Sequence, residues 1–228
     1  MNWLPLESNP DVLNKLMQRL GVPKRWNVVD VYGLDRESLQ WVPRPVLSVI
    51  LLYPCNDKIN EYMEEKCKEI KDKGQVISPQ PYFFRQTAAN ACGTAALIHS
   101  IANNRDQIVL NEGGLKKALE ETENATPEER GELLQSNCQD IVDAHKELAG
   151  EGQTQVNADE GSSHHFIALV HNNGYLYELD GKKEFPINHG PTEPGKLLED
   201  AAKVCKEYIE KAENDINFSV MALTSCIQ

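Results

Sequence analysis

The chain has 228 residues, of which 40% are apolar and 25% charged, and a formal net charge of −12. That composition is an ordinary folded globule and excludes collagen-like, low-complexity and wholly disordered readings. The acidic balance disfavours nucleic acid, whose phosphates need a basic surface, and favours a basic protein segment as partner. The longest apolar run, Val46 to Tyr53, is interrupted by Ser48 and falls far short of the ~20 residues of a membrane-spanning helix. The start, MNWLPLESNP, has neither a basic stretch nor an apolar one, so no signal peptide is expected. Six cysteines without C-x-x-C or zinc-like spacing suit a reducing compartment, cytoplasm and nucleus alike.

In chain order, Asn9-Pro10-Asp11 opens a helix with Val12, Leu13 and Leu16 on its apolar side, closed by Gly21 and Pro23. Trp26 to Tyr32 reads as a strand. Pro45 to Tyr53, rich in Val, Ile and Leu, reads as a strand buried on both faces. Asp57 to Lys73 is a charged helix ended by Gly74. A short aromatic strand, Tyr82 to Gln86, and a helix from Ala91 to Asn103 follow. Thr126-Pro127-Glu128-Glu129 is a capping box that starts a helix running into the 140s. Residues 150–163 are polar and aperiodic, a surface loop of functional length. His165 to His171 and Tyr175 to Asp180 form a hairpin around Asn172-Asn173-Gly174. A short strand at Phe185 to Ile187, a helix from Pro194 to Ala212 and a strand at Phe218 to Leu223 complete the chain. No composition break divides it. The expected architecture is one α+β domain over 1–228, a mostly antiparallel central sheet with helices on both sides.

A lone cysteine is more often a packed core residue than a nucleophile, yet Cys92 has special company. It follows Asn90, a plausible N-cap, and so stands in a first helical turn, where the helix dipole and free N–H groups favour a thiolate. An attacked carbonyl needs donors already aimed at its oxygen. The Cys92 N–H is one, and the amide of Gln86, six residues back at a strand end, is a second. Strand parity puts His165 on a face with Ile167, Leu169 and His171, away from His164. A turn at Asn172-Asn173 sets Asp180 directly opposite His165, and a turn at Asn173-Gly174 sets it diagonally; both place the pair on one face. A carboxylate beside an imidazole fixes its tautomer. The pair alone reads as a structural contact; with Cys92 it reads as a catalytic set.

These segments carry a resemblance. QTAANACGTAALIHSIANN resembles the active-site segment of the ubiquitin C-terminal hydrolases, and HFIALVHNNGYLYELDGKKEFPINHG resembles their His/Asp segment. WLPLESNP, VVDVYGLD, VPRPVLSVILL and LLEDAAKVC are similar too, so the likeness spans nearly the whole chain. It is strongest to the small single-domain members of the isozyme L3 type.

The resemblance implies a papain-like, knotted α/β/α sandwich. It also implies a thiol hydrolase that needs no cofactor or metal and cleaves after the C-terminal glycine of ubiquitin or a close ubiquitin-like modifier. It carries Cys92 as nucleophile, His165 as base and acid, Asp180 as its orienter and Gln86 as oxyanion donor. It sets Glu7 and Asp30 against the arginines of ubiquitin's tail, and makes 150–163 a crossover loop over the active site that admits only small or flexible leaving groups. A monomer is expected. Two other classes stay open: a ubiquitin-binding protein with little turnover, and an acyltransferase using the same residues, although no Gly-rich phosphate loop supports the latter.

Overall fold

A computed structural model describes residues 3–77, 80–151, 163–213 and 215–225. Asn9 caps the first helix, α1 (Pro10–Arg19), by accepting from the Asp11 amide, and Val12, Leu13, Leu16 and Met17 turn inward. The chain continues through β1 (Trp26–Asp30), α2 (Arg36–Leu39), β2 (Val46–Pro54), α3 (Asp57–Lys73), α4 (Cys92–Ala102), α5 (Gly114–Glu121), α6 (Pro127–Glu132) and α7 (Gln139–Ala149). It ends with β3 (His164–Asn172), β4 (Tyr175–Leu179), β5 (Ile187–Pro191), α8 (Leu197–Lys211) and β6 (Ser219–Ser225).

The six strands form one sheet in the order β1-β6-β2-β3-β4-β5, and every neighbouring pair is antiparallel. Alternation along β3 separates two cores. Phe166, Ala168 and Val170 pack with Leu13, Leu97 and Ile141 of α1, α4 and α7. Ile167 and Leu169 pack with Ile59 of α3 and with Leu198 and Tyr208 of α8. Helices therefore cover both faces, and the central strand β2 is buried along almost its whole length. Every residue of α4 is buried, as its all-round small and apolar sequence requires.

Several elements depart from the sequence reading. Tyr82 to Gln86 is not a strand. Its amides reach separate partners: Tyr82 to Asn103 Oδ1, Phe84 to His99 Nε2, Arg85 to the Pro127 carbonyl and Gln86 to the Gly181 carbonyl. The aromatic run reflects burial of Tyr82, Phe83 and Phe84, not a ladder. Asn90 is not the N-cap of α4. It holds φ 61°, a left-handed conformation Asn tolerates, and its side chain donates to the Trp3 carbonyl at 2.9 Å. Ala91 occupies the cap without a side-chain bond, so Cys92 is the first helical residue.

The capping box forms as read, with Thr126 and Glu129 bonding each other's backbone. The helix it starts is not continuous: a π-helical turn at Leu133–Asn137 and an extended Cys138 divide α6 from α7. Helix α5 has no counterpart in the reading, because Gly113-Gly114 masks its start. The strand placed at Phe185 to Ile187 lies later, at Ile187–Pro191. Of the 150–163 loop, residues 152–162 lie outside the described residues.

Candidate active site

Strands β3 and β4 pair with Asn172 opposite Tyr175 and Ala168 opposite Leu179. Asn173 and Gly174 therefore form the turn, both at positive φ, which the right-handed strand twist favours. This is the register in which Asp180 lies diagonal to His165. His165 Nε2 meets Asp180 Oδ1 at 2.6 Å, with both side chains buried. The Lys182 backbone N–H donates to the same oxygen at 2.9 Å. The ring of Tyr53, the register partner of His165 on β2, stands edge-on to the imidazole at 5.7 Å.

With Nε2 taken by Asp180, Nδ1 is the nitrogen open to Cys92; it makes no hydrogen bond of standard geometry among the described residues. The thiol and the imidazole nevertheless perturb each other. Burial pushes the Cys92 thiol up, but the close approach and charge of the His165 imidazole, the Phe166 backbone and Lys182 bring it below its ordinary value. Burial pushes His165 down, but Asp180 and Cys92 raise it to about 9. The other described cysteines, Cys55, Cys67, Cys138 and Cys205, are all pushed up, burial being the main cause. A thiol shifted down beside an imidazole shifted up favours the thiolate–imidazolium form, the activated state of a cysteine nucleophile.

Gln86 is brought to this centre from the other side. Its backbone N–H donates to the Gly181 carbonyl at 2.8 Å, one residue past Asp180. Its side-chain Nε2 donates to the Ala88 carbonyl at 2.8 Å, while Oε1 has no partner among the described residues. Gln135 from the π-helical turn accepts the amides of Thr87 and Ala88, each at 2.7 Å, and so holds the chain between Gln86 and Cys92. Gly93 follows Cys92 because a Cβ there would stand 3.2 Å from Leu6 and 3.3 Å from Phe166.

Leu6, the residue before Glu7, therefore packs against Gly93, one residue past the start of α4. Ser8 Oγ donates to Ser219 Oγ at 2.8 Å on β6, and two residues on, Met221 is the register partner of Asp30. Glu7 and Asp30 thus both neighbour residues that contact the Ser219–Met221 stretch of β6, and Ser219 lies opposite Leu52, which in turn lies opposite Phe166, the residue after His165. Asp30 is half-buried beside Tyr32 and Trp41, and burial raises its carboxyl above the usual value.

A cavity of about 390 Å³ opens beside the centre, with His165, Asp180, Tyr53, Met63 and Lys182 in its wall. A larger one, about 840 Å³, lies at the opposite end of β2 and β3 among Arg44, Asn103 and His171. Volume alone would misplace the chemistry, since that cleft holds no nucleophile–base pair. His99 and His145 are packing residues: burial drops them to about 3 and about 4, and both are hydrogen-bonded in the core. The reading overlooked Glu178, Lys183, His189 and Tyr208, which cluster behind Asp180. The available signal was Glu178, an acid on the inward face of the strand YLYEL.

A thiol in the first turn of a buried helix, an imidazole and a carboxylate on an antiparallel sheet together define a papain-like cysteine hydrolase. Comparison with known proteins narrows the class. The family model "Ubiquitin carboxyl-terminal hydrolase, family 1" matches residues 3–210, and the chain belongs to that family. It is 46% identical over 228 residues to a Drosophila melanogaster ubiquitin carboxyl-terminal hydrolase, covering 100% of both chains. It is 43% identical over 224 residues to human ubiquitin carboxyl-terminal hydrolase isozyme L1, covering 98% of each. Among solved structures it is similar to the Trichinella spiralis UCH37 catalytic domain bound to ubiquitin vinyl methyl ester, with a TM-score of 0.78 and 26% identity over 100% of this chain and 97% of that one. The chain is a cysteine-type ubiquitin C-terminal hydrolase.

Proposed function

We propose that this hydrolase removes small or flexible adducts from the C-terminal glycine of ubiquitin, with Cys92 as nucleophile, His165 as general base and acid, Asp180 as orienter and Gln86 as oxyanion donor. The observation that carries the reading is the buried His165–Asp180 contact at 2.6 Å beside the one described thiol held below its ordinary value. The Cys92 thiolate adds to the glycine carbonyl carbon. The carbon–nitrogen bond then breaks as His165 delivers its proton to the leaving amine, giving a thioester. Water, deprotonated by His165, attacks the thioester and frees the thiol and the carboxylate.

Negative charge on the carbonyl oxygen is met by the Cys92 N–H and by the Gln86 amide, whose Nε2 has a second hydrogen beyond the one given to Ala88. Glu7 and Asp30 meet the basic tail of ubiquitin, a role supported by their common approach to β6. A ubiquitin-like modifier ending in two glycines fits the same reading. The size limit rests on the 150–163 segment of the sequence. Its described flanks are anchored: Glu151 donates to the Leu148 carbonyl, and the Ser163 carbonyl accepts from Cys55 at 2.7 Å.

A second reading, a protein that binds ubiquitin with little turnover, is favoured by His165 Nδ1 lacking a full hydrogen bond to the thiol. Catalytic hydrogen bonds commonly tighten only with substrate bound, so turnover remains the first reading. Release of a fluorophore from a ubiquitin C-terminal amide separates the two. Saturable release with Cys92-dependent kinetics is the expected result; tight binding without release establishes the second reading.

A further inference from the structure

Behind Asp180 lies a second set of buried charges that the reaction as derived does not use. Glu178 of β4 sits two residues before Asp180, which directly follows the strand, and its side chain is fully buried. Its Oε1 accepts from Lys183 Nζ at 2.6 Å and from the Tyr208 hydroxyl at 2.9 Å, and its Oε2 meets His189 Nε2 at 2.8 Å. Lys183, only 12% exposed, stands between the two carboxylates, its Nζ also 3.6 Å from Asp180 Oδ2. Asp180 gives Oδ1 to His165 and to the Lys182 amide, and presents Oδ2 to Lys183.

A lysine buried this deeply requires compensation, and a lone pair of carboxylates two residues apart would repel. The arrangement satisfies both demands at once. Glu178 fixes the ammonium, and the ammonium keeps Asp180 a carboxylate with its free oxygen turned away from solvent. Seen from His165, the pair is electrically balanced, so its field is small while both members remain; removing either unmasks the other.

We propose that Lys183, held in place by Glu178, is a positioning residue of the Cys92–His165–Asp180 centre, orienting Asp180 on His165 and balancing the charge that surrounds the imidazole. The proposal rests on the catalytic roles given above. The other groups facing the imidazole are Cys92 from α4, Tyr53 from β2 and Lys182 on the chain after β4. Tyr208 of α8 and His189 of β5 meet the carboxylate of Glu178, and Lys66 of α3 stands 3.5 Å from His189 Nδ1. The buried phenols of Tyr53 and Tyr208 are pushed well up and stay neutral. Lys182 is exposed, and its charge acts through solvent.

The test is the pH profile of kcat/KM on a ubiquitin C-terminal fluorogenic amide, with the rate of Cys92 alkylation followed in parallel, for the parent, Lys183→Met, Lys183→Arg and Glu178→Gln. Loss of the cation in Lys183→Met exposes the negative charge of Glu178 and Asp180. Imidazolium is then favoured and thiolate disfavoured, so both limbs move to higher pH by roughly one unit. At any pH where the parent rate is still rising in proportion to thiolate, the rate falls by about tenfold, the factor that one unit represents. Loss of the anion in Glu178→Gln exposes Lys183, and both limbs move to lower pH. Lys183→Arg restores the parent profile.

Opposite shifts in the two variants establish the proposal, because a packing defect lowers activity without moving the limbs in opposite directions. Unmoved limbs in folded Lys183→Met, or shifts of the same sign in both variants, overturn it. Thermal melting checks the fold, and Lys183→Gln, which keeps a donor for Glu178, replaces a Lys183→Met variant that does not fold. If the parent shows no Cys92-dependent release, the catalytic reading fails instead, and the alkylation profile still reports on Lys183.

Discussion

The Gln86 amide and the Gly181 carbonyl are joined at 2.8 Å, and a Cβ on Gly181 would stand 2.8 Å from the Cβ of Gln86. This one contact ties the proposed oxyanion donor to the residue beside Asp180, so the two arms of the site share a spacing. Gly181→Ala should push them apart. Misplacement of about 1 Å can cost on the order of 10²-fold in rate. The expected loss is in kcat rather than KM, read on the fluorogenic ubiquitin amide; an equal rise in KM would place Gly181 in ubiquitin binding instead.

Cys92 differs from the other described thiols in being held below its ordinary value. A ubiquitin carrying a C-terminal electrophile should label Cys92, and Cys92→Ala should lose turnover while retaining ubiquitin binding. Mass spectrometry of the adduct decides the matter. Labelling at Cys55, Cys67, Cys138, Cys205 or Cys226 would overturn the assignment.

His165 and His164 are chain neighbours on opposite faces of β3. Only His165 meets Asp180; His164 Nδ1 lies 3.0 Å from Ser163 Oγ. His165→Ala should lower kcat by ~10²–10⁴, the worth of a positioned base, while His164→Ala keeps most of its rate. Comparable losses in both would contradict the register.

The pH dependence follows from the same pair. Activity should rise with thiolate formation below the ordinary thiol range and fall as His165 loses its proton near pH 9. Burial opposes the charge on His165 and Asp180, and each group's partner overrides it. His165 goes from 6.5 to about 9, so its contribution to stability is complete below pH 6.5 and lost as pH rises through 9. Asp180 goes from 3.8 to about 2, so its contribution is complete above pH 3.8 and lost as pH falls through 2. Melting temperatures of Asp180→Asn against the parent should differ in the slope between pH 6.5 and 9, which the variant loses. Parallel curves would show that the pair does not titrate as a unit.

Gln135 accepts two backbone amides of the loop that leads from Gln86 to Cys92. Gln135→Leu leaves both without an acceptor, and an unmet buried donor costs about 1–3 kcal/mol. Chemical denaturation should show a loss in that range, carried by the buried Ala88 amide since Thr87 is exposed, with kcat reduced because Gln86 is no longer held. Unchanged stability would mean that water takes over the two amides.

Local chemistry was legible in the residues alone. Asn9 and Thr126 cap helices through short-range side-chain bonds, Gly74 ends one, and parity along β3 separates His165 from His164, because each depends on neighbours a few positions away. The diagonal placement of Asp180 was one of two registers the sequence allowed, and turn geometry at Asn173-Gly174 chose between them. Long-range partners decided the rest. Tyr82 to Gln86 has a strand's composition but no strand beside it; its amides are taken by α4, α6 and the chain after β4. Asn90 has an N-cap's composition but spends its side chain on Trp3. Lys183 and Glu178 read as ordinary charges until folding buries them against Asp180. Periodicity and capping propensities describe what a segment can do, whereas burial and distant hydrogen-bond partners exist only once the chain has closed around them.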